Sequence, residues 1–181
     1  MHLITEKIDN ILKNKNLTRY KLSKMFDCSE SALNQMARGD ISFSDNIMEK
    51  IIPILEVSRE EFESWIVADK YSKETLELAI KAKKESVKRN SKINCQPVKK
   101  ILTTKLDEIL QSKNLSRTAL SKQIKHSQSS VNNAITGKES LSKKLMQKIS
   151  TALEIPENEI QSWVIADKYS LKILELAVNI E

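Results

Sequence analysis

Residues 3–83 align with residues 101–181 at a constant offset of 98, without a gap, and 35 of the 81 pairs are identical. Leu17-Thr18-Arg19 faces Leu115-Ser116-Arg117, and Leu22-Ser23-Lys24 recurs as Leu120-Ser121-Lys122. The longest shared run, from Ser64 through Trp65, Ala68, Asp69, Lys70 and Tyr71 to Ser72, recurs from Ser162 through Trp163, Ala166, Asp167, Lys168 and Tyr169 to Ser170. A chain written twice folds as two copies of one small domain. About 80 residues suffice for an autonomous helical core, while a stacked solenoid needs about three copies. The expected division is therefore 1–83 for the first domain, 84–100 for a linker and 101–181 for the second domain. The linker carries six cations against Glu85 alone, with Asn90, Ser91, Asn94 and Pro97, so it reads as solvated chain whose first part extends the preceding helix.

Each copy reads as helices. Only two residues are Gly and three are Pro, which argues against a Gly-rich phosphate cradle and a turn-rich β sandwich. Ile4, Ile8, Ile11 and Leu12 share one helical face. Thr18 is placed to cap a second helix holding Leu22 and Phe26, and Ser29 a third holding Leu33 and Met36, closed by Gly39. Ser44 opens a fourth helix with Ile47, Ile51 and Leu55 inward. Ser58 with Glu61 forms a capping box before Phe62, Trp65 and Ile66, and a sixth helix from Lys73 buries Leu76, Ala79 and Ile80. In the second copy Leu106, Leu120, Val131, Ile149 and Ile160 mark the same helices, with Gly137 closing the third. Pro53 falls inside the fourth helix and predicts a kink or an early end, since an interior proline costs about 3 kcal/mol.

Several functions are excluded or disfavoured. His2 and His126 are the only histidines, and no metal-ligand spacing, Ser/His/Asp, Cys/His or paired-carboxylate arrangement stands out, so neither an enzyme nor a cofactor is expected. Cys28 and Cys95 form no disulfide framework, and a reducing cytoplasm is the expected compartment. Cys28 reads as buried and unreactive, and Cys95 as incidental to the linker. No apolar run approaches the ~20 residues of a membrane span.

Residues 17–39 and 115–137 each show a Leu-[Thr/Ser] start, an apolar residue four to five positions on, a turn, and then Ser-x-Ser-x-apolar-x-x-apolar-x-x-Gly. Both runs resemble the helix-turn-helix of the Cro/lambda-repressor family, also called the XRE family. That resemblance implies an all-α protein of two tandem five- to six-helix lambda-repressor-like domains related by internal duplication. The five-helix family domain corresponds to about residues 4–70 and 102–168. The sequence departs from the family at Asp27 and Lys125, where a turn glycine is usual, at Ser23 and Ser121 in place of a small Ala, at Arg19 and Arg117 in place of Gln, and at Ala37 and Ile135 in place of Glu.

In such folds the third helix enters the major groove while the second crosses the backbone. For base reading the first copy offers Glu30, Ser31, Asn34, Gln35 and Arg38, and the second Gln128, Ser129, Ser130, Asn132 and Asn133. Asn and Gln can bond adenine twice, and Glu can accept from cytosine N4. Arg19, Lys21, Lys24 and Arg38 surround the first reader as candidate phosphate contacts; Arg117, Lys122, Lys125 and Lys138 surround the second, with His126 in its turn. From Lys13 to Gly39 six cations face Asp27 and Glu30, and from Gln111 to Lys138 there are five cations and no acid. Such local segregation is the footprint of a DNA-facing surface.

The expected function is thus a sequence-specific regulator, a repressor-type protein acting on double-stranded DNA in the cytoplasm, at the nucleoid. The linker spans ~50 Å when extended, enough for two readers to meet half-sites about one helical turn, ~34 Å, apart. Trp65 and Trp163 read as core, and Tyr71 and Tyr169 as packed with the hydroxyl outward; the alternative for the Trp65 and Trp163 regions is a homodimer or protein-partner surface. Two rival functions stand beside the first: one copy binding protein while only the other binds DNA, and a DNA-organising, plasmid-segregation adaptor coating repeated sites.

Overall fold

The structure is a computed structural model that describes residues 2–90 and 100–180; Cys95 lies outside the described residues. Among those residues there are twelve α-helices and no strand. The first copy holds α1 (Leu3–Asn14), α2 (Arg19–Met25), α3 (Glu30–Ala37), α4 (Asp45–Leu55), α5 (Arg59–Lys70) and α6 (Lys73–Asn90). The second holds α7 (Ile101–Ser112), α8 (Arg117–Gln123), α9 (Gln128–Ile135), α10 (Lys143–Leu153), α11 (Glu157–Lys168) and α12 (Leu171–Val178).

Local chemistry sets the helix starts. The hydroxyls of Thr18, Ser29, Ser44 and Ser58 accept from the backbone N–H groups of Lys21, Ala32, Ile47 and Glu61. Ser116, Ser127 and Ser142 do the same for Ala119, Ser130 and Leu145, while Pro156 opens α11 without a side-chain cap. Each such cap is worth about 1 kcal/mol. Gly39 (φ 78°) and Gly137 (φ 67°) take the left-handed conformation that ends α3 and α9, with the N–H of Asp40 returning to the Gln35 carbonyl and that of Lys138 to the Asn133 carbonyl, both at 2.9 Å. Pro53 does not end α4 early. The helix runs on to Leu55, in register with Leu153 of α10, because a proline in the last turn removes a single hydrogen bond from an exposed position.

The same five positions are sealed in both copies. Ile8, Leu22, Leu33, Ile51 and Phe62 have no exposed surface, and neither do Leu106, Leu120, Val131, Ile149 and Ile160 at offset 98. Full burial of one such side chain contributes about 1.5–3 kcal/mol. α1 packs on α5, α2 on α3 and α4 on α5; α7 packs on α11, α8 on α9 and α10 on α11. Trp65 and Trp163 are 4% and 3% exposed, as core residues are, so neither indole offers an external partner surface. Cys28 is half-buried rather than buried, packed against the first core with its Sγ 3.4 Å from the Ser29 carbonyl oxygen.

The compact units differ from the division expected from the repeat. One comprises Met1–Lys73 with Glu175–Glu181, and the other Glu74–Leu174. The difference lies in α6, which from Glu74 onward groups with second-copy helices, and in the end of α12, which groups with the first copy. In α6, Leu76, Ala79 and Ala82 are buried, Lys83 donates to the Ala166 carbonyl, Glu85 pairs with Lys105 at 2.8 Å, and Arg89 pairs with Glu108. α6 also continues to Asn90, into the stretch expected to be linker. In the first unit Ile180 rests against the core formed by Ile4, Ile8 and Trp65 among others.

Candidate nucleic-acid interface

Two short helices joined by a tight turn form the candidate site in each copy. Asp27 (φ 54°) and Lys125 (φ 49°) adopt the left-handed conformation at the turn. An L-residue costs roughly 1–2 kcal/mol there, so the turn keeps the geometry a glycine would favour although glycine is absent. The N–H of Cys28 bonds the Ser23 carbonyl, and that of His126 the Ser121 carbonyl, each at 2.9 Å, which closes the turn back onto α2 and α8.

The third helix of each copy lies with one face in and one face out. Leu33, Met36 and Ala37 are buried on α3, as are Val131, Ala134 and Ile135 on α9. Glu30, Ser31 and Arg38 are exposed, while Asn34 and Gln35 are half-buried. In the second copy Gln128, Ser129 and Lys138 are exposed, and Ser130, Asn132 and Asn133 are half-buried. Lys21, Lys24, Lys122, Lys125 and His126 are all exposed along the flanking second helices and turns.

Arg19 and Arg117 stand apart from the other cations. Arg19 donates through Nε and Nη2 to the two carboxylate oxygens of Asp9 at 2.7 and 2.6 Å, and through Nη1 to Asn34 Oδ1 at 2.8 Å. Arg117 donates the same pair of hydrogen bonds, through Nε and Nη2, to the two carboxylate oxygens of Asp107 at 2.8 and 2.7 Å. Their side chains are only 25% and 27% exposed. A two-toothed pair of this kind fixes geometry as well as charge. These arginines thus tie the first helix to the second, and a phosphate would have to share each with its aspartate. Arg38 pairs with Asp40 at 3.2 Å. By contrast, Lys122, Lys125 and Lys138 of the second copy have no acidic partner among the described residues, and Lys24 lies over the Tyr20 ring at 5.5 Å.

Other polar residues of this scaffold carry no signal in the sequence except their duplication. Thr5 Oγ1 donates to the Ala37 carbonyl and Thr103 Oγ1 to the Ile135 carbonyl, both at 2.7 Å, which pins the end of each third helix to the first. Asp69 accepts from the N–H of Leu3 at 2.8 Å, and Asp167 accepts from those of Ile101 and Leu102 at 2.7 and 3.0 Å. A carboxylate at a helix N-terminus satisfies donors that have no partner within the helix. Thr5, Asp9 and Asp69 all recur at offset 98.

Among the described residues no helix is long and apolar enough to cross a membrane, and no group of three or more His, Cys, Asp or Glu residues could hold a metal ion. No curated protein and no solved structure matches the chain. Residues 106–160 match the helix-turn-helix family. That span holds α8, α9 and every candidate residue of the second copy, whereas the first copy is tied to it by the internal repeat. The match thus covers the candidate site of the second copy.

Proposed function

We propose that the chain is a sequence-specific double-stranded DNA-binding transcriptional regulator with two helix-turn-helix readers, the third helix of each facing a major groove. The observation that carries this reading is the outward polar face of α9 beside Lys122, Lys125 and Lys138, which have no acidic partner among the described residues, within the span that matches the helix-turn-helix family. Amide and hydroxyl groups there suit base edges, and the lysines suit flanking phosphates. The first copy is included because its core, its turn and the caps of its second, third and fourth helices repeat those of the second, with Ser31, Asn34 and Gln35 on the equivalent face.

One observation favours a second reading, in which the first copy binds a protein and only the second binds DNA. Tyr20 and Met25 on α2 are 55% and 57% exposed, where the second copy has Thr118 and Gln123. Selection of bound sequences from random duplexes with the intact chain separates the two. Two spaced, unlike motifs are expected. A single short motif would leave one active reader, and no enrichment of any sequence in dilute buffer would overturn DNA reading altogether.

A further inference from the structure

We propose that the two readers offer bases opposite hydrogen-bond polarity through one asparagine each. Asn34 acts as a donor that favours guanine, and Asn133 as an acceptor that favours an exocyclic amine, adenine N6 or cytosine N4. This inference rests on the DNA reading above.

The polarity follows from the partners. A guanidinium has donors only, so the Asn34 atom 2.8 Å from Arg19 Nη1 is its carbonyl oxygen. Arg19 is itself held by both oxygens of Asp9 and cannot swing aside without breaking two bonds. The end of the Asn34 amide turned away from this anchor is the NH2 group. A carboxylate accepts only, so the Asn133 atom 2.8 Å from Glu139 Oε1 is its nitrogen. The end turned away from Glu139 is the carbonyl oxygen.

The two anchors are not interchangeable between copies. Asn132, the counterpart of Asn34, has no bond to Arg117 among the described residues, and Gln35, the counterpart of Asn133, has Ile41 where the second copy has Glu139. In the major groove guanine shows two acceptors, N7 and O6, and no donor; thymine shows the single acceptor O4, adenine pairs its N7 acceptor with an amine donor, and cytosine shows an amine donor. A donor-presenting amide suits guanine, and an acceptor-presenting one suits an amine. Arg19 and Glu139 are positioning residues in this scheme, acting on base choice through Asn34 and Asn133.

The test repeats the duplex selection with Asn34→Asp and Glu139→Ala in the full chain. Asn34→Asp keeps an oxygen for Arg19 but replaces the outward donors by an acceptor. A guanine preference at one position of the first motif should fall by about tenfold in favour of cytosine or adenine. Glu139→Ala frees the Asn133 amide, and the amine-base preference at one position of the second motif should relax by about tenfold towards evenness. Glu139 is exposed, so this variant keeps its fold and tests the idea even if Asn34→Asp does not. A folded variant whose motif keeps the wild-type base preference overturns the inference and leaves DNA reading intact. No enrichment by the wild-type chain overturns both.

Discussion

The two copies agree where side chains build the scaffold and diverge where they face solvent. Thr5, Asp9, Arg19 and Asp69 recur as Thr103, Asp107, Arg117 and Asp167, and each makes the same contact in its own unit. Five fully sealed apolar positions also coincide. On the outer face, Lys21 is replaced by Ala119, Glu30 by Gln128, Gln35 by Asn133, Arg38 by Thr136, Asp40 by Lys138 and Ile41 by Glu139. A buried contact constrains both partners at once, because removing one leaves the other unsatisfied. A solvated side chain carries no such constraint, so duplicated units can share a framework while their surfaces acquire different partners.

The largest expected effect tests whether the divergent surfaces divide DNA affinity unequally. Lys122→Ala with Lys125→Ala removes two cations that no acid compensates among the described residues, and should weaken duplex binding about 10- to 100-fold and flatten the dependence of log K on log salt by about 1.8. Lys21→Ala with Lys24→Ala removes cations from a unit that also exposes Asp27, Glu30 and Asp40, and should cost several-fold less. Equilibrium titrations across a salt series measure both. Equal losses would break the electrostatic contrast. No loss for the first-copy pair would favour the protein-binding reading of that copy.

A smaller effect probes the shared framework. Asp167 accepts two N–H groups at the start of α7, while Asp69 accepts one at the start of α1 and meets His2 Nδ1 at 2.9 Å. Asp167→Ala should therefore destabilise its unit by about 1–2 kcal/mol and Asp69→Ala its own by about 0.5–1 kcal/mol, in the range of lost N-caps. Trp163 and Trp65 sit one in each unit, so urea unfolding followed by the fluorescence of single-tryptophan variants reads each unit separately. Identical shifts would show that the second hydrogen bond of Asp167 adds nothing.

What could be read in advance was local. Thr18, Ser29, Ser44 and Ser58 cap as their positions in the chain predict, and Gly39 and Gly137 close α3 and α9, since these contacts lie within a few residues. The partners of Arg19 and Asp69 were not readable, because Asp9 is ten residues away and the α1 terminus 66, and periodicity does not carry such distances. The exact offset of 98 marks all of these residues as paired without saying with what. The grouping of α6 with second-copy helices was hidden for a related reason: Leu76, Ala79 and Ala82 define an apolar stripe, and a stripe does not name the surface it covers.

That stripe is extended by two ion pairs within the second unit. Glu85 on α6 bonds Lys105 on α7, whereas Lys7, the counterpart of Lys105, has no acidic partner among the described residues. The hydrogen bond from Lys105 holds the Glu85 carboxyl below its ordinary range; burial opposes this, and the charges of Lys105, Lys81 and Arg89 add to it. A carboxylate depressed in the folded state contributes stability above its unfolded pKa and loses it as pH falls through the folded one. Glu85→Gln should therefore lower the stability of the second unit at neutral pH, and the difference from wild type should vanish as the medium is acidified through the carboxylate range. Because Glu85 is 39% exposed, water and salt screen the pair, and the expected difference is a few tenths of a kcal/mol. Urea midpoints of the two proteins along a pH series measure it. A difference that persists in acid would mean that Glu85 acts through packing, and the second unit's added link would then lie in Arg89 and Glu108.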